Sequence, residues 1–321
     1  MANHTDEADK NQAGMVAQPI DIVKIRGILA LIHDAEQMEG REGYSLDKKS
    51  ISTVFKNSQG GSLEGELARL AMIDGMYSTQ MNRRYYALEE LAEMIVELRK
   101  GLLVKYNKKL EDVFIDFACQ IDPDDSERQD SFIQKYFNVG SRSLWGSSYG
   151  IGKRLNDKGV AISLISKYAY FATEFKFPIY DTIACEVMPV LARKVFGTGT
   201  MKLKIFQQGS QKTDGEATIK AFIGMINFMK MKLDCESYDV FDRLLWYTGK
   251  MRRGNLSLIL SREEYEKWFE ELPLPRDEKA FARSIKTVTT ERFMNCLASD
   301  RSDESRTMLK NLYDLARALK A

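Results

Sequence analysis

The sequence predicts an all-α protein, on three observations. Apolar residues recur every three or four positions along most of the chain, the spacing that lines one face of a helix. Strand-like alternation stands out only from Met201 to Phe206 (MKLKIF), after the Gly-Thr-Gly-Thr of 197–200. The six prolines fall mostly at segment edges, such as Pro123, Pro178 and Pro273, and so leave long helices intact.

The elements follow in order. Residues 1 to about 18 are polar and aperiodic and read as a disordered tail. From Pro19 onward Ile22, Ile25, Ile28, Leu29 and Ile32 form one stripe, with Pro19 and Asp21 suited to the first turn. The same periodicity predicts helices over about 63–79, 84–99, 108–120, 126–137, 158–174, 179–197, 215–231, 237–248, 261–270, 277–297 and 303–319. No fixed-period repeat and no low-complexity linker divides residues 19–321. Gly140 to Gly152 (GSRSLWGSSYGIG) and the loop 197–215 are the expected hinges, which makes about 140–200 a central helical unit between flanking bundles.

Composition excludes several functions. With 47 Lys+Arg against 46 Asp+Glu the chain has a net charge of +1, so an anionic partner must be met by a local patch. Only His4 and His33 occur, which argues against histidine-rich metal sites and Ser-His-Asp or Cys-His catalysis. Cys119, Cys185, Cys235 and Cys296 are widely spaced without a CxxC, pointing to a reducing cytoplasm and no zinc cluster. There is no uninterrupted apolar run of membrane length and no signal-peptide pattern at the N-terminus, so a soluble cytoplasmic protein without membrane partner, metal or cofactor is expected.

The most informative segment is Leu164 to Ala184, LISKYAYFATEFKFPIYDTIA. Lys167 lies among Leu164, Ile165, Tyr168, Phe171 and Phe175, which predicts a buried amine. Burial disfavours the ammonium and makes a lysine a usable nucleophile near neutral pH. Asp181 falls at the predicted start of the next helix, where a carboxylate caps exposed N–H groups and is favoured as the anion.

Together, Ser166-Lys167-Tyr168-Ala169 and Tyr180-Asp181-Thr182 resemble the helix-hairpin-helix DNA glycosylase superfamily. In that family a lysine opens the second hairpin helix, and an Asp-Thr segment further on carries an essential aspartate. The resemblance covers about 150–195 and extends more weakly over the remaining helical layout. It implies a two-lobed helical architecture with a cleft, catalytic Lys167 and Asp181, double-stranded DNA as partner, a monomer and no cofactor. Two departures stand out. Where the family has Pro-Gly-Val-Gly before the lysine, this chain reads Ala161-Ile-Ser-Leu-Ile-Ser166, and the lysine and aspartate are closer in sequence than in many members. Archaeal oxoguanine glycosylases offer a precedent for a divergent hairpin. The Ser-Lys-Tyr and Phe-Pro-Ile-Tyr-Asp stretches are similar to bacterial antiphage DNA glycosylases, which implies a modified phage base, such as glucosylated hydroxymethylcytosine, as substrate.

Other residues fill out this expectation. Gly150-Ile-Gly152-Lys153-Arg154 is a rival hairpin loop, and Lys153 is assigned to phosphate contact rather than nucleophilic attack. Tyr77 and Gln80, with Asn82 nearby, follow an apolar helix and are placed to read a base edge or fill the gap left by an extruded base. Trp145, Tyr149, Tyr168 and Trp246 are the candidate stacking walls, Trp145 being expected at the surface beside the small residues Gly146, Ser147 and Ser148. Three basic clusters are candidates for DNA binding: Lys153, Arg154 and Lys158; Arg193 and Lys194 with Lys202 and Lys204; and Lys250, Arg252 and Arg253.

The expected chemistry is base excision. Asp181 stabilises positive charge on the sugar as the base departs, and Lys167 attacks C1′ to give a Schiff base. If Lys167 is structural, Asp181 orients a water instead and the product is an abasic site. The competing class is a non-enzymatic helical module of a defence system that binds nucleic acid or protein through the same basic clusters.

Overall fold

The computed structural model describes residues 20–37, 42–58, 60–77, 79, 81–120, 126–152, 159–197, 214–253 and 304–319. The expected tail 1–18, the expected helices at 261–270 and 277–297, and the strand candidate at 201–206 lie outside the described residues. The rest is mostly helix, so the chain is all-α. In chain order the helices are α1 (Ile22–Gln37), α2 (Glu42–Asn57), α3 (Leu63–Tyr77), α4 (Ala87–Tyr106), α5 (Leu110–Gln120), α6 (Ser126–Tyr136), α7 (Ile162–Ala172), α8 (Thr182–Phe196), α9 (Gly215–Leu233), α10 (Tyr238–Arg252) and α11 (Glu304–Ala318). A 3-10 turn spans Met81–Arg83, and β1 (Asn138–Val139) pairs antiparallel with β2 (Arg142–Ser143). Among the described residues no helix is long and apolar enough to cross a membrane.

Local chemistry accounts for several boundaries. Asp181, Asp214 and Ser237 each accept the N–H three residues on and so cap α8, α9 and α10. Asn107 and Asp234 adopt the left-handed conformation that ends α4 and α9. Helix α2 is absent from the sequence-based expectation: Lys48, Lys49, Lys56 and Asn57 break up its apolar stripe, and only Ile51 is fully buried along it.

The helices pack in linked groups. Helix α10 lies against α8, α1 and α11, while α3 lies against α4, α2 and α7; α5 also packs on α7, and the β1–β2 hairpin on α4 and α6. The buried apolar side chains form one continuous cluster running from Ile25 to Leu319. Helix α7 is central, with nine of its eleven residues buried, so it is apolar nearly all round rather than along one stripe.

A buried polar network anchors α7. The Tyr168 hydroxyl donates to Glu66 Oε2 at 2.5 Å and accepts from Arg99 Nη2 at 2.9 Å. Arg69 joins Glu66 to the end of α2 through the carbonyls of Phe55 and Ser58, at 2.7 and 3.0 Å. Arg99 also pairs with Glu111 of α5 at 2.6 Å. Burial alone would weaken the Arg99 cation, but the Tyr168 hydroxyl and the two carboxylates overcome it and hold its pKa above the ordinary arginine value.

The end of the glycine-dotted segment is tied to the residues that open α4. Arg84 donates to the carbonyls of Tyr149 and Gly150 at 2.8 and 3.0 Å, Glu90 accepts the Gly150 N–H at 2.8 Å, and Tyr85 bridges to Ile151. Gly150 has φ +69°, and a Cβ there would lie 2.6 Å from the Tyr85 carbonyl, so only glycine fits this close approach. Trp145 is fully buried, not exposed, and stacks on Phe177 with centroids 5.9 Å apart and planes 10° from parallel. Gly146 lies against the side chain of Glu216 at the start of α9.

Candidate active site

Lys167 and Asp181 are brought together through Ser166. Its fully buried hydroxyl donates to the Ser163 carbonyl at 3.1 Å and accepts the Tyr180 N–H at 3.0 Å. The residues next in sequence on either side of that clamp are Lys167 and Asp181, so one hydrogen bond between α7 and the chain entering α8 sets the lysine beside the aspartate. Ser166→Ala would leave the Tyr180 N–H without this acceptor. We expect a loss of ~1–2 kcal/mol in urea unfolding, the cost of an unpaired donor at a partly buried site.

The lysine is enclosed. Lys167 is 3% exposed, and its Nζ donates to Ser163 Oγ at 2.8 Å and lies 5.7 Å from the Tyr77 ring centroid. The resemblance puts the lysine at a helix opening, whereas here it is the sixth residue of α7, in the middle of the most buried helix. A mid-helix lysine with packed neighbours cannot reach water. Burial lowers its pKa from the ordinary 10.5, and the nearby Asp181, Asp242 and Cys185 oppose that shift without cancelling it. The neutral amine is therefore populated at lower pH than for a solvated lysine.

Asp181 caps α8, with its Oδ1 accepting the Ala184 N–H at 2.7 Å. It sits at the positive end of the helix dipole. Cys185, one turn further along α8, accepts a hydrogen bond from the Tyr180 hydroxyl, and burial pushes its thiol up to about 12. It is therefore an uncharged wall rather than a thiolate.

Helix α10 completes the cluster. Asp242, Trp246 and Lys250 recur every four residues on one face. Gly249 lets that helix close on α8: a Cβ there would lie 2.2 Å from Ile183 Cγ2. Asp242 is buried, and desolvation together with Asp181 and Asp239 holds its carboxyl well above the usual aspartate range. Asp239 behaves oppositely. Burial would raise it, but the Lys48 ammonium at 2.5 Å and the Tyr170 hydroxyl hold it below its ordinary value. Lys250 lies 5.2 Å from the Trp246 ring, and its pKa is lowered by burial and by Arg253, against the pull of Asp181.

Of the other residues singled out in the sequence, Tyr77 and Trp246 join this cluster. Tyr77 ends α3 and packs edge-on to Phe171 at 6.0 Å, and Trp246 is half-buried. The turn after Tyr77 is held by Asp74, which accepts the Thr79 hydroxyl and the N–H groups of Met81 and Asn82 at 2.9 and 3.1 Å. Trp145, Tyr149 and Tyr168 are fully buried and have no face to offer a base. Tyr149 donates its hydroxyl to the Leu144 carbonyl at 2.9 Å, and Tyr168 belongs to the Glu66–Arg99 network. Arg193 is exposed and Lys194 half-buried in the last turn of α8. Arg253 pairs with Glu186 at 2.7 Å, and Arg252 donates to the Glu186 carbonyl at 3.4 Å. Gln80, Lys153, Arg154, Lys158, Lys202 and Lys204 lie outside the described residues. Among the described residues, no group of three or more His, Cys, Asp and Glu side chains is arranged to hold a metal ion.

Asp242 and Ser166 escape a reading of the sequence. An aspartate in an amphipathic helix looks like an ordinary solvated acid until packing against α7 and α8 is known. Ser166 carries a signal only through its place beside Lys167. Comparison with family models, with curated proteins and with solved structures found no match to this chain.

Proposed function

We propose that the protein is a DNA glycosylase that uses Lys167 as nucleophile and Asp181 as the charge that stabilises the transition state. The carrying observation is a buried, readily deprotonated lysine clamped beside a helix-capping aspartate. A neutral amine attacks an electrophilic carbon, and a fixed anion near it favours positive charge that develops there. The sugar of an extruded nucleotide presents both: C1′ is the electrophile, and the ring becomes cationic as the base departs. Tyr77, beside Lys167, and Trp246, beside Lys250, supply the aromatic faces for a turned-out base. In this reading the duplex lies in a cleft between helical lobes, and Lys250 and Arg252 at the end of α10 supply phosphate contacts. The lysine product is a Schiff base that proceeds to strand cleavage.

The test is incubation with phage DNA carrying glucosylated hydroxymethylcytosine and, in parallel, with unmodified DNA, followed by alkali. Alkali-labile breaks are expected in the modified DNA. They are expected to fall ~10²–10³-fold in Asp181→Asn, the usual loss when one preorganised electrostatic group is removed. Asparagine caps a helix as well as aspartate does, so the variant is expected to melt with the wild type. Undiminished cleavage by Asp181→Asn, or no breaks in either DNA with wild-type protein, would refute the reading.

A further inference from the structure

Asp181 and Asp242 lie near Lys167, Asp239 lies near Asp242, and their partners divide the three aspartates. Asp181 accepts a backbone N–H at the start of α8, and Asp239 is engaged by Lys48 and the Tyr170 hydroxyl, which favour its charged form. Among the described residues Asp242 has no hydrogen-bond or ion-pair partner, although it is buried between them. A carboxyl that is desolvated beside two other acids and given no donor of its own keeps its proton. The charged groups acting on it are Asp181 from α8, Lys167 from α7, and Asp239 and Arg243 from its own helix. Helices α1 and α11, which also pack on α10, carry the Lys24–Asp314 pair at 3.4 Å.

A neutral acid beside a neutral amine and a fixed anion has a specific use in displacing a base. We propose that Asp242 is the general acid that protonates the departing base as Lys167 bonds to the sugar. This role rests on the glycosylase reading above. The lone pair of the uncharged Lys167 nitrogen forms the bond to C1′. The C1′–N bond to the base breaks, and its electron pair stays with the base, which takes the proton from Asp242. Lys167 is left as a secondary ammonium and Asp242 as a carboxylate beside it. The step begins and ends with the same net charge, and the anion appears on Asp242 only as a cation appears next to it. That avoids the cost of an isolated buried charge at either stage. Position supports the assignment, because Asp242 lies one turn from Trp246 on the same face of α10, where a base stacked on the indole would present its edge.

Asp242→Asn separates this role from that of the nucleophile. A preformed abasic site has no base to protonate, so borohydride trapping of the variant on abasic-site DNA is expected within about threefold of wild type. Single-turnover excision from base-bearing DNA is expected to fall ~10²–10⁴-fold, the usual worth of a general acid. Wild-type excision is expected to decline as pH rises through the titration of Asp242, and that limb is expected to be missing in Asp242→Asn. Normal excision by the variant would overturn the proposal. So would an equal loss of trapping on abasic DNA, which would make Asp242 a support for Lys167 rather than an acid. Wild-type protein that neither excises nor traps would instead refute the glycosylase reading itself, and this role with it.

Discussion

Lys167→Ala is expected to abolish the covalent adduct that borohydride traps between the protein and abasic-site DNA, a loss of at least ~10³-fold, since Lys167 is the one fully buried lysine among the described residues. The wild-type adduct is expected to form faster as pH rises, with the increase centred below the ordinary lysine value of 10.5. Lys167→Met is the companion variant, because it keeps the bulk of the side chain without the amine. The native state holds Lys167 with a lowered pKa and therefore binds fewer protons than the unfolded chain in the range between that value and 10.5. Stability contributed through this residue consequently rises with pH across that window and is lower below it. Lys167→Met removes this dependence and is expected to melt no lower than wild type at neutral pH, where burying the amine is a cost. A variant that folds as well and traps nothing separates the chemistry from the fold; an adduct that persists would mean another lysine is the nucleophile.

Trp145→Ala is expected to have the largest effect on stability, a loss of ~3–5 kcal/mol measured by urea unfolding, the usual range for removing a buried aromatic side chain. The indole is enclosed by Phe114, Phe117, Phe137 and Phe177, with centroids 5.8 to 6.2 Å away, so alanine would open a cavity between α5, the hairpin and the chain leading into α8. Its Nε1 has no hydrogen-bond partner among the described residues. Trp145→Phe removes that unpaired donor while keeping a ring in place, so its loss is expected to be under half that of Trp145→Ala. Near-equal stability of Trp145→Ala and wild type would contradict the packing described for this indole.

The fate of this tryptophan shows where sequence reasoning reached its limit. A segment without period gives no face to assign, so Trp145 reads as exposed. Its burial comes from rings that Phe114, Phe137 and Phe177 contribute from three separate parts of the chain. Helical periodicity works where one element supplies its own apolar stripe: it placed α3 and α5 to α11 within about four residues at each end, found the stripe of α1, and ended α4 seven residues short of Tyr106. It missed α2, which is held by Phe55 packed at a tilt on Tyr168 and by the Arg69 contacts at its end rather than by a strong stripe. The burial of Lys167 and the capping by Asp181 were legible because unusual neighbours surround both: a cation in an apolar run, and an acid at a helix start. Asp242 was not, because its surroundings are assembled entirely from other helices.

If Lys167 is the nucleophile, the central position of α7 decides which partner must move. A nucleophile on a loop or a helix end can advance on its target, but an amine in the middle of a helix packed on nearly every side is as immobile as the core around it. Any carbon it attacks has to be carried inward by its own depth. The reach of the reaction is then set by how far a substrate can be drawn out of its resting structure. On the glycosylase reading, selectivity can therefore rest on how readily a given nucleotide leaves its stack as much as on any contact made after it arrives.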